Sequence, residues 1–262
     1  MDPMLLRFGA VGLRWYSVLF VLGLVLAAAR LVRVFDARGY PRAHAMTLAW
    51  VLPLTMLVGA HLVHLVFYEP RSLWERPWRI LDLGHGLASH GGALGTILGV
   101  VFFARRRGVP AHRYLDAVML ASIWLFPWVR VGNFFNSEIL GRVTEVPWGV
   151  VFTRVDPDHA RHPVQLYEAA AAVVLLAFAE WQSRRQARDV ARAWPDGAFF
   201  YVTLGLYFAY RFALEFFKDG QGIDDGWALN MGHLLSTVPL AFCAWMALVH
   251  PDTRITLRRS SA

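Results

Sequence analysis

Residues 129–142 read VRVGNFFNSEILGR, placing two arginines, two asparagines, a glutamate and two glycines within an otherwise oily chain. Guanidinium forks match phosphate oxygens, and glycines admit close approach of a backbone or ligand. A second polar set lies in YFAYRFALEFF, where Tyr207, Arg211 and Glu215 fall at i, i+4 and i+8 and so share one helical face. Two readings of it stay open. Arg211 and Glu215 form a structural ion pair at helical spacing, or Arg211 and Arg130 flank a phosphate that enters from a bilayer. A third candidate is His90 in SHGG, at the start of a helix. A neutral imidazole there can take a proton from a nucleophile, or simply bond a loop carbonyl. His61, His64, His85, His162 and His233 read as interfacial or capping side chains. The lone His61/His64 pair at i, i+3 lacks supporting carboxylates, so no metal is expected.

These residues need elements to carry them. The chain has 262 residues, 56% hydrophobic and only 17% charged, where a soluble domain carries about a quarter charged residues. Apolar stretches long enough to cross a hydrocarbon core of about 30 Å recur along it. The expected fold is an all-α integral membrane protein with seven transmembrane helices, near residues 16–35, 46–68, 90–104, 114–128, 164–181, 197–217 and 229–249. Fifteen Lys and Arg residues fall after the first, third and fifth spans and in the tail, against ten on the other side. Short cytoplasmic loops carry the positive excess, so the N-terminus is expected outside and the C-terminus in the cytoplasm. The net charge of +7 thus reads as topology and contact with anionic membrane lipids, with no nucleic-acid partner. Cys243, the single cysteine, lies in the last span and excludes an internal disulfide or thiolate site. No cleavable signal peptide is evident.

On this topology every unusual polar residue falls in the outer half: Tyr16, His61, His64, Ser89, His90, the stretch Arg130–Arg142, His162, Gln165, Tyr167, Glu168, Tyr207, Arg211, Glu215, Asn230 and His233. The expected organisation is one transmembrane domain over residues 1–262 with an outward-facing active-site cavity. A small periplasmic loop region around 129–163 is expected to hold the opening stretch and a β-prone segment, VTEVPWGVVF. In the segment EPRSLWERPWRILD, Glu69, Glu75 and Asp82 offset three arginines.

The stretch VRVGNFFNSEILGR resembles the signature of the prolipoprotein diacylglyceryl transferases at Arg130, Gly132, Asn133, Phe134, Asn136, Glu138 and Gly141. RWY at 14–16, SHGG at 89–92, PWGVVF at 147–152, HPVQLYEA at 162–169, YFAYRFALEFF at 207–217 and MGHLLS at 231–236 agree with the family in order, over nearly the whole chain. The resemblance implies a multi-pass enzyme of the bacterial inner membrane with its active site toward the periplasm. It moves the diacylglyceryl group of phosphatidylglycerol to the lipobox cysteine thiol of a prolipoprotein signal peptide. A thioether forms and glycerol phosphate leaves, without a cofactor. The family's essential histidine falls on His90 and its essential arginines on Arg130 and Arg211. Its substrate-binding positions fall on Tyr16, Asn133, Asn136, Glu138, Tyr207 and Glu215. Developing charge on the phosphate oxygens suits the two arginines. A thiol with a pKa near about 8.5 needs a base or a positive field; His90 either accepts that proton or orients the head group. The chain departs from the family pattern at Val129, His61, Ser89, Ser137, Lys218 and His233, with His61 and Ser89 placed at the expected entrance. A divergent paralogue with another acceptor, and a non-catalytic phospholipid-binding or transport protein, are the alternatives.

Overall fold

The computed structural model describes residues 2–8, 11–83, 86–189, 193–219, 231–250, 252–253 and 255. It is mostly helical: α1 Trp15–Ala37, α2 Arg42–Tyr68, α3 Ser72–Glu75, α4 Ser89–Arg106, α5 Ala111–Ser122, α6 Phe126–Asn136, α7 Val164–Arg188, α8 Ala198–Glu215 and α9 Met231–Leu248. Proline precedes α2 at Pro41, α5 at Pro110 and α7 at Pro163, where extended backbone before a helix is favoured. Gly39 and Gly108, at φ of 69° and 65°, terminate α1 and α4. In each case the next amide reaches back to a carbonyl in the last turn, Tyr40 to Phe35 at 2.9 Å and Val109 to Ala104 at 3.0 Å.

Each expected helix has a counterpart. Among the described residues α1, α2 and α7 are long and apolar enough to cross a membrane. A fourth span is available if α5 and α6, bent by 44° where they meet, count as one. The chain is a multi-pass membrane protein. Asn230, His85, Arg192, Arg254, Arg258 and Arg259 lie outside the described residues.

Two expectations need correction. The loop expected around 129–163 does not begin at Val129, because α6 carries the stretch as helix to Asn136. Pro127 sits in the first turn of this helix and restarts it after the bend. Ser137, left-handed at φ 56°, ends it by donating its amide to Phe134 at 3.1 Å. Nor is the chain all α. The hairpin β1 Met4–Phe8 with β2 Val11–Arg14 leads into α1, and β3 Val150–Phe152 pairs antiparallel with β4 Asp156–Arg161. The VVF triplet is the β-branched and aromatic run of the segment read as β-prone.

The chain divides into two compact units, one of residues 1–30 and 119–262, the other of residues 31–118. In the second unit, α2 and α4 meet through small residues. A Cβ placed on Gly59 would lie 2.8 Å from the Gly95 Cα and 3.0 Å from its amide nitrogen, and one on Gly99 would lie 2.6 Å from the Thr55 hydroxyl. Gly91, Gly95 and Gly99 recur every fourth residue, so one face of α4 is bare backbone. This is the packing that membrane helices use in place of a hydrophobic drive. Phe35, Tyr40 and Tyr114 close the other end, with ring centroids 5.0–5.5 Å apart.

In the first unit, α1 and α7 are joined by a bidentate pair, Arg30 Nε to Glu180 Oε1 at 2.7 Å and Nη2 to Oε2 at 2.9 Å, with the Trp124 indole donating at 3.0 Å. Helix α6 approaches α1 at Gly132, where a Cβ would sit 2.8 Å from the Tyr16 ring and 3.2 Å from its Cα.

Candidate functional site

Residue 168 organises the first unit. The Glu168 carboxylate, on the second turn of α7, is fully buried, and three cations converge on it. Arg130 Nη1 lies 3.1 Å from Oε2, Lys218 Nζ 3.0 Å from Oε1, and Arg211 Nη1 3.8 Å from Oε1. Lys218 also reaches Glu215 at 2.8 Å. Four segments therefore meet in one ionic cluster: α6 brings Arg130, α7 Glu168, α8 Arg211 and Glu215, and the turn after α8 brings Lys218. The carboxylate that Arg211 faces is Glu168, while Glu215 pairs with Lys218 at i, i+3. The Glu215 carboxyl packs against Gly232 in the first turn of α9, where backbone N–H groups favour an anion.

Two tyrosines complete this face. Tyr207 lies near Arg130. The Tyr210 hydroxyl is buried and has no hydrogen-bond partner among the described residues. Tyr16 lies near both Arg130 and Glu138.

The other half of the signature forms a clamp. Glu138 Oε2 accepts from the Asn133 amide at 3.0 Å and Oε1 from the Asn136 amide at 3.1 Å, while the Glu138 backbone oxygen accepts from Gln165 at 2.5 Å. A carboxylate and a carbonyl only accept, so each amide must present its NH₂ to Glu138. Their carbonyl oxygens, Asn133 Oδ1, Asn136 Oδ1 and Gln165 Oε1, are left buried without a partner among the described residues. Buried acceptors of this kind are uncommon in folded proteins. They offer capacity for hydroxyl donors.

The clamp is held by the chain beyond it. Ile139 takes a left-handed φ of 57°, and the next residues run as an improvised strand. Arg142 N–H bonds Phe217 O at 2.9 Å, Asp219 N–H bonds Leu140 O at 3.0 Å, and His162 N–H bonds Arg142 O at 3.0 Å. Gly141 is required here because a Cβ would collide with His162 O. The strand thus fixes Lys218 and the start of α7 together. On the adjoining hairpin, hydrogen bonds from His159 and Arg161 push the Asp156 carboxyl down to about 2, and Arg161 also reaches Asp219 at 2.7 Å.

His90 belongs to the second unit. It stands at the start of a helix, as expected, and is exposed there, on the first turn of α4 after the buried Ala88, whose N–H bonds Ala60 O at 3.0 Å. His61 was expected at an entrance, but it is completely buried. Its Nε2 faces Arg79 O at 2.9 Å and its Nδ1 faces Gly86 O at 3.3 Å. It therefore ties down the segment leading into His90. His64 and Arg79 bond Glu69 and hold its carboxyl below the usual range, and Arg79 reaches Asp82 at 2.8 Å. The charge balance read in EPRSLWERPWRILD is thus realised in part as ion pairs.

All nine residues singled out in sequence have places in the two units: Tyr16, Asn133, Asn136, Glu138, Arg130, Tyr207, Arg211 and Glu215 in one, His90 in the other. Glu168, Lys218, Gln165 and Tyr210 were given no role. The missed signal was Glu168 itself, an acidic residue in an apolar helix, which at membrane depth calls for a partner.

Guanidinium groups gathered below the surface of a multi-pass helical membrane protein, beside amide oxygens without donors among the described residues, are chemically suited to an anionic, hydroxylated ligand. The sequence model of the prolipoprotein diacylglyceryl transferase family matches residues 3–249, and the chain belongs to that family. Among its relatives, a phosphatidylglycerol–prolipoprotein diacylglyceryl transferase of Tolumonas auensis is 35% identical over 90% of this chain and 88% of its own. Proteins of the same name from Chloroherpeton thalassium and Phenylobacterium zucineum are 33% and 34% identical, covering 95% and 94% of this chain and 88% and 91% of their own.

Proposed function

We propose that the protein is a phosphatidylglycerol–prolipoprotein diacylglyceryl transferase. The observation that carries the mechanism is the convergence of Arg130 and Arg211 on one buried carboxylate, because guanidinium forks already gathered around an anion are arranged to receive a phosphate. In the reaction the thiolate sulfur of the lipobox cysteine bonds to the terminal glyceryl carbon. The bond from that carbon to the phosphate oxygen breaks, its electron pair stays on the oxygen, and glycerol phosphate departs. Arg130 and Arg211 stabilise that charge. The amide oxygens held by Glu138 accept hydrogen bonds from the head-group glycerol, and Tyr16 and Tyr207 flank it. On the family resemblance alone, His90 is assigned either the thiol proton or the orientation of the head group. No step requires a cofactor.

The reading extends to seven spans in the bacterial inner membrane, with the N-terminus and active site toward the periplasm and the C-terminus in the cytoplasm. The excess of Lys and Arg after the odd-numbered spans supports it. The test supplies labelled phosphatidylglycerol and a lipobox peptide to the purified protein in liposomes. The wild type forms the thioether, and His90→Ala and Arg130→Ala, both still folded, do not. Retained transfer in both variants overturns the assignment. Growth of a strain depleted of its own transferase, restored by this chain, tests the acceptor.

A further inference from the structure

The ionic cluster carries a count of charges that bears on which phosphate it accepts. Three cations, Arg130, Arg211 and Lys218, meet two carboxylates, Glu168 and Glu215, at 3.1, 3.8, 3.0 and 2.8 Å. Within these ion pairs, among the described residues, formal charges leave one positive charge unbalanced. The arrangement is also layered. The Glu168 side chain is 0% exposed, whereas Arg130 and Arg211 keep 13% and 17%. An arriving ligand therefore meets guanidinium, with the carboxylate behind it.

Charges brought into such a site are weakly screened, so these five side chains accommodate a ligand with one negative charge and offer a second no counterpart among themselves. We propose that Glu168 and Glu215 set the cluster at a net charge of one, so that it selects a phosphodiester monoanion over a phosphomonoester dianion. Glu168 meanwhile holds the guanidinium groups where the lipid phosphate will engage them. This rests on the transferase reading and deepens it. Phosphatidylglycerol is a phosphodiester and carries a single negative charge. The leaving glycerol phosphate is a monoester with a second pKa near about 6, hence largely a dianion at neutral pH. The same site therefore retains substrate and releases product. Glu168 acts through the arginines and is a positioning residue.

The experiment measures displacement of labelled phosphatidylglycerol from the full chain in detergent micelles at a pH well above that second ionisation. The competitors are unlabelled phosphatidylglycerol and phosphatidic acid with the same acyl chains. Glu168→Gln raises the cluster to two net charges, and the affinity for phosphatidic acid relative to phosphatidylglycerol rises about tenfold at the effective dielectric of a partly buried site. Lys218→Met lowers the cluster to zero, and the ratio falls. The double variant returns to one, and the ratio returns toward wild type; Lys218→Arg leaves it unchanged. A ratio that stays constant across the series, or a double variant that fails to restore it, overturns the proposal. A purely structural Glu168 would lower stability or turnover without moving the ratio. Should Glu168→Gln not fold, the opposed outcomes for Lys218→Met and Lys218→Arg still decide. Displacement does not depend on turnover, so a wild type that binds both lipids yet forms no thioether defeats the transferase reading and leaves this one to be judged separately.

Discussion

Substituting Gly59 by alanine tests whether α4 is held by backbone contact. The added Cβ would stand 2.8 Å from the Gly95 Cα and 3.0 Å from its nitrogen, and closer still to Gly91 O. Carbon atoms rest about 3.5–4.0 Å apart, so α2 and α4 must separate by roughly 1 Å at this crossing. None of the three opposing atoms belongs to a side chain that can swing away. Overpacking of this kind costs about 1–3 kcal/mol, set against about 0.5–1 kcal/mol gained by replacing a helical glycine with alanine. The net expectation is a loss of about 1–2 kcal/mol and a displaced SHGG turn, with turnover falling with it. Gly205→Ala is the control, since its Cβ would meet only the Cys243 Cβ, at 3.3 Å. Thermal melts of the purified protein in one detergent compare the two. Gly59→Ala should lower the midpoint while Gly205→Ala holds or raises it. If both variants melt alike and transfer lipid at the wild-type rate, close helix packing does not position His90.

Three further outcomes follow from the first unit. Glu180→Gln should destabilise the protein by about 3–5 kcal/mol, because it leaves the Arg30 guanidinium largely buried without its carboxylate; denaturation in detergent reads this, and a loss below 1 kcal/mol would contradict it. Glu138→Gln turns one acceptor oxygen into a donor facing the Asn133 or Asn136 amide. Since Glu138 is exposed, turnover should fall about tenfold or more, matching the roughly 1–3 kcal/mol of a misplaced hydrogen bond, while the melting midpoint barely moves; the reverse pattern argues against the clamp. The Asp156 carboxyl is held from its ordinary 3.8 down to about 2 by His159 and Arg161, so its contribution is complete above the ordinary value and disappears as pH falls through the folded one. Amide exchange of the β3–β4 hairpin should therefore accelerate between those values in the wild type and show no such step in Asp156→Asn.

The helices were legible because apolar runs of membrane length have few other uses. The limits of α1 and α2 were accordingly found to within four residues, and the start of α7 at Val164, although α7 runs seven residues past its expected end. What misled was polarity taken as a sign of loop. Arg130, Asn133 and Asn136 read as a connection, yet they are spaced at i, i+3 and i+6 and stand on α6. A helix that buries its polar face against other polar helices carries no apolar stripe there, so hydropathy falls where the helix continues. The site residues were legible through their types, and the resemblance gave most of them. Their connections were not. Arg211 and Glu215 have ideal helical spacing for each other, yet Arg211 turns to Glu168, and only tertiary proximity distinguishes the two pairings. Lys218 was visible merely as a departure from the family pattern, although it supplies the cation that Glu215 needs.

The energetics of the cluster argue for function independently of the resemblance. Bringing five charged groups below the surface has a desolvation cost that mutual attraction seldom exceeds, and apolar replacements of buried ion networks are often neutral or stabilising by about 1–4 kcal/mol. Stability alone would therefore be served as well by leucine and methionine on these faces of α6, α7 and α8. Among the described residues the cluster also leaves one cation in excess and sits beside three amide oxygens without donors, which a purely structural network would have satisfied. Both deficits have the same sign pattern as a glycerophosphate group: one negative charge, and hydroxyls to donate. That match is the reason to test the cluster as a binding site before reading it as part of the fold alone.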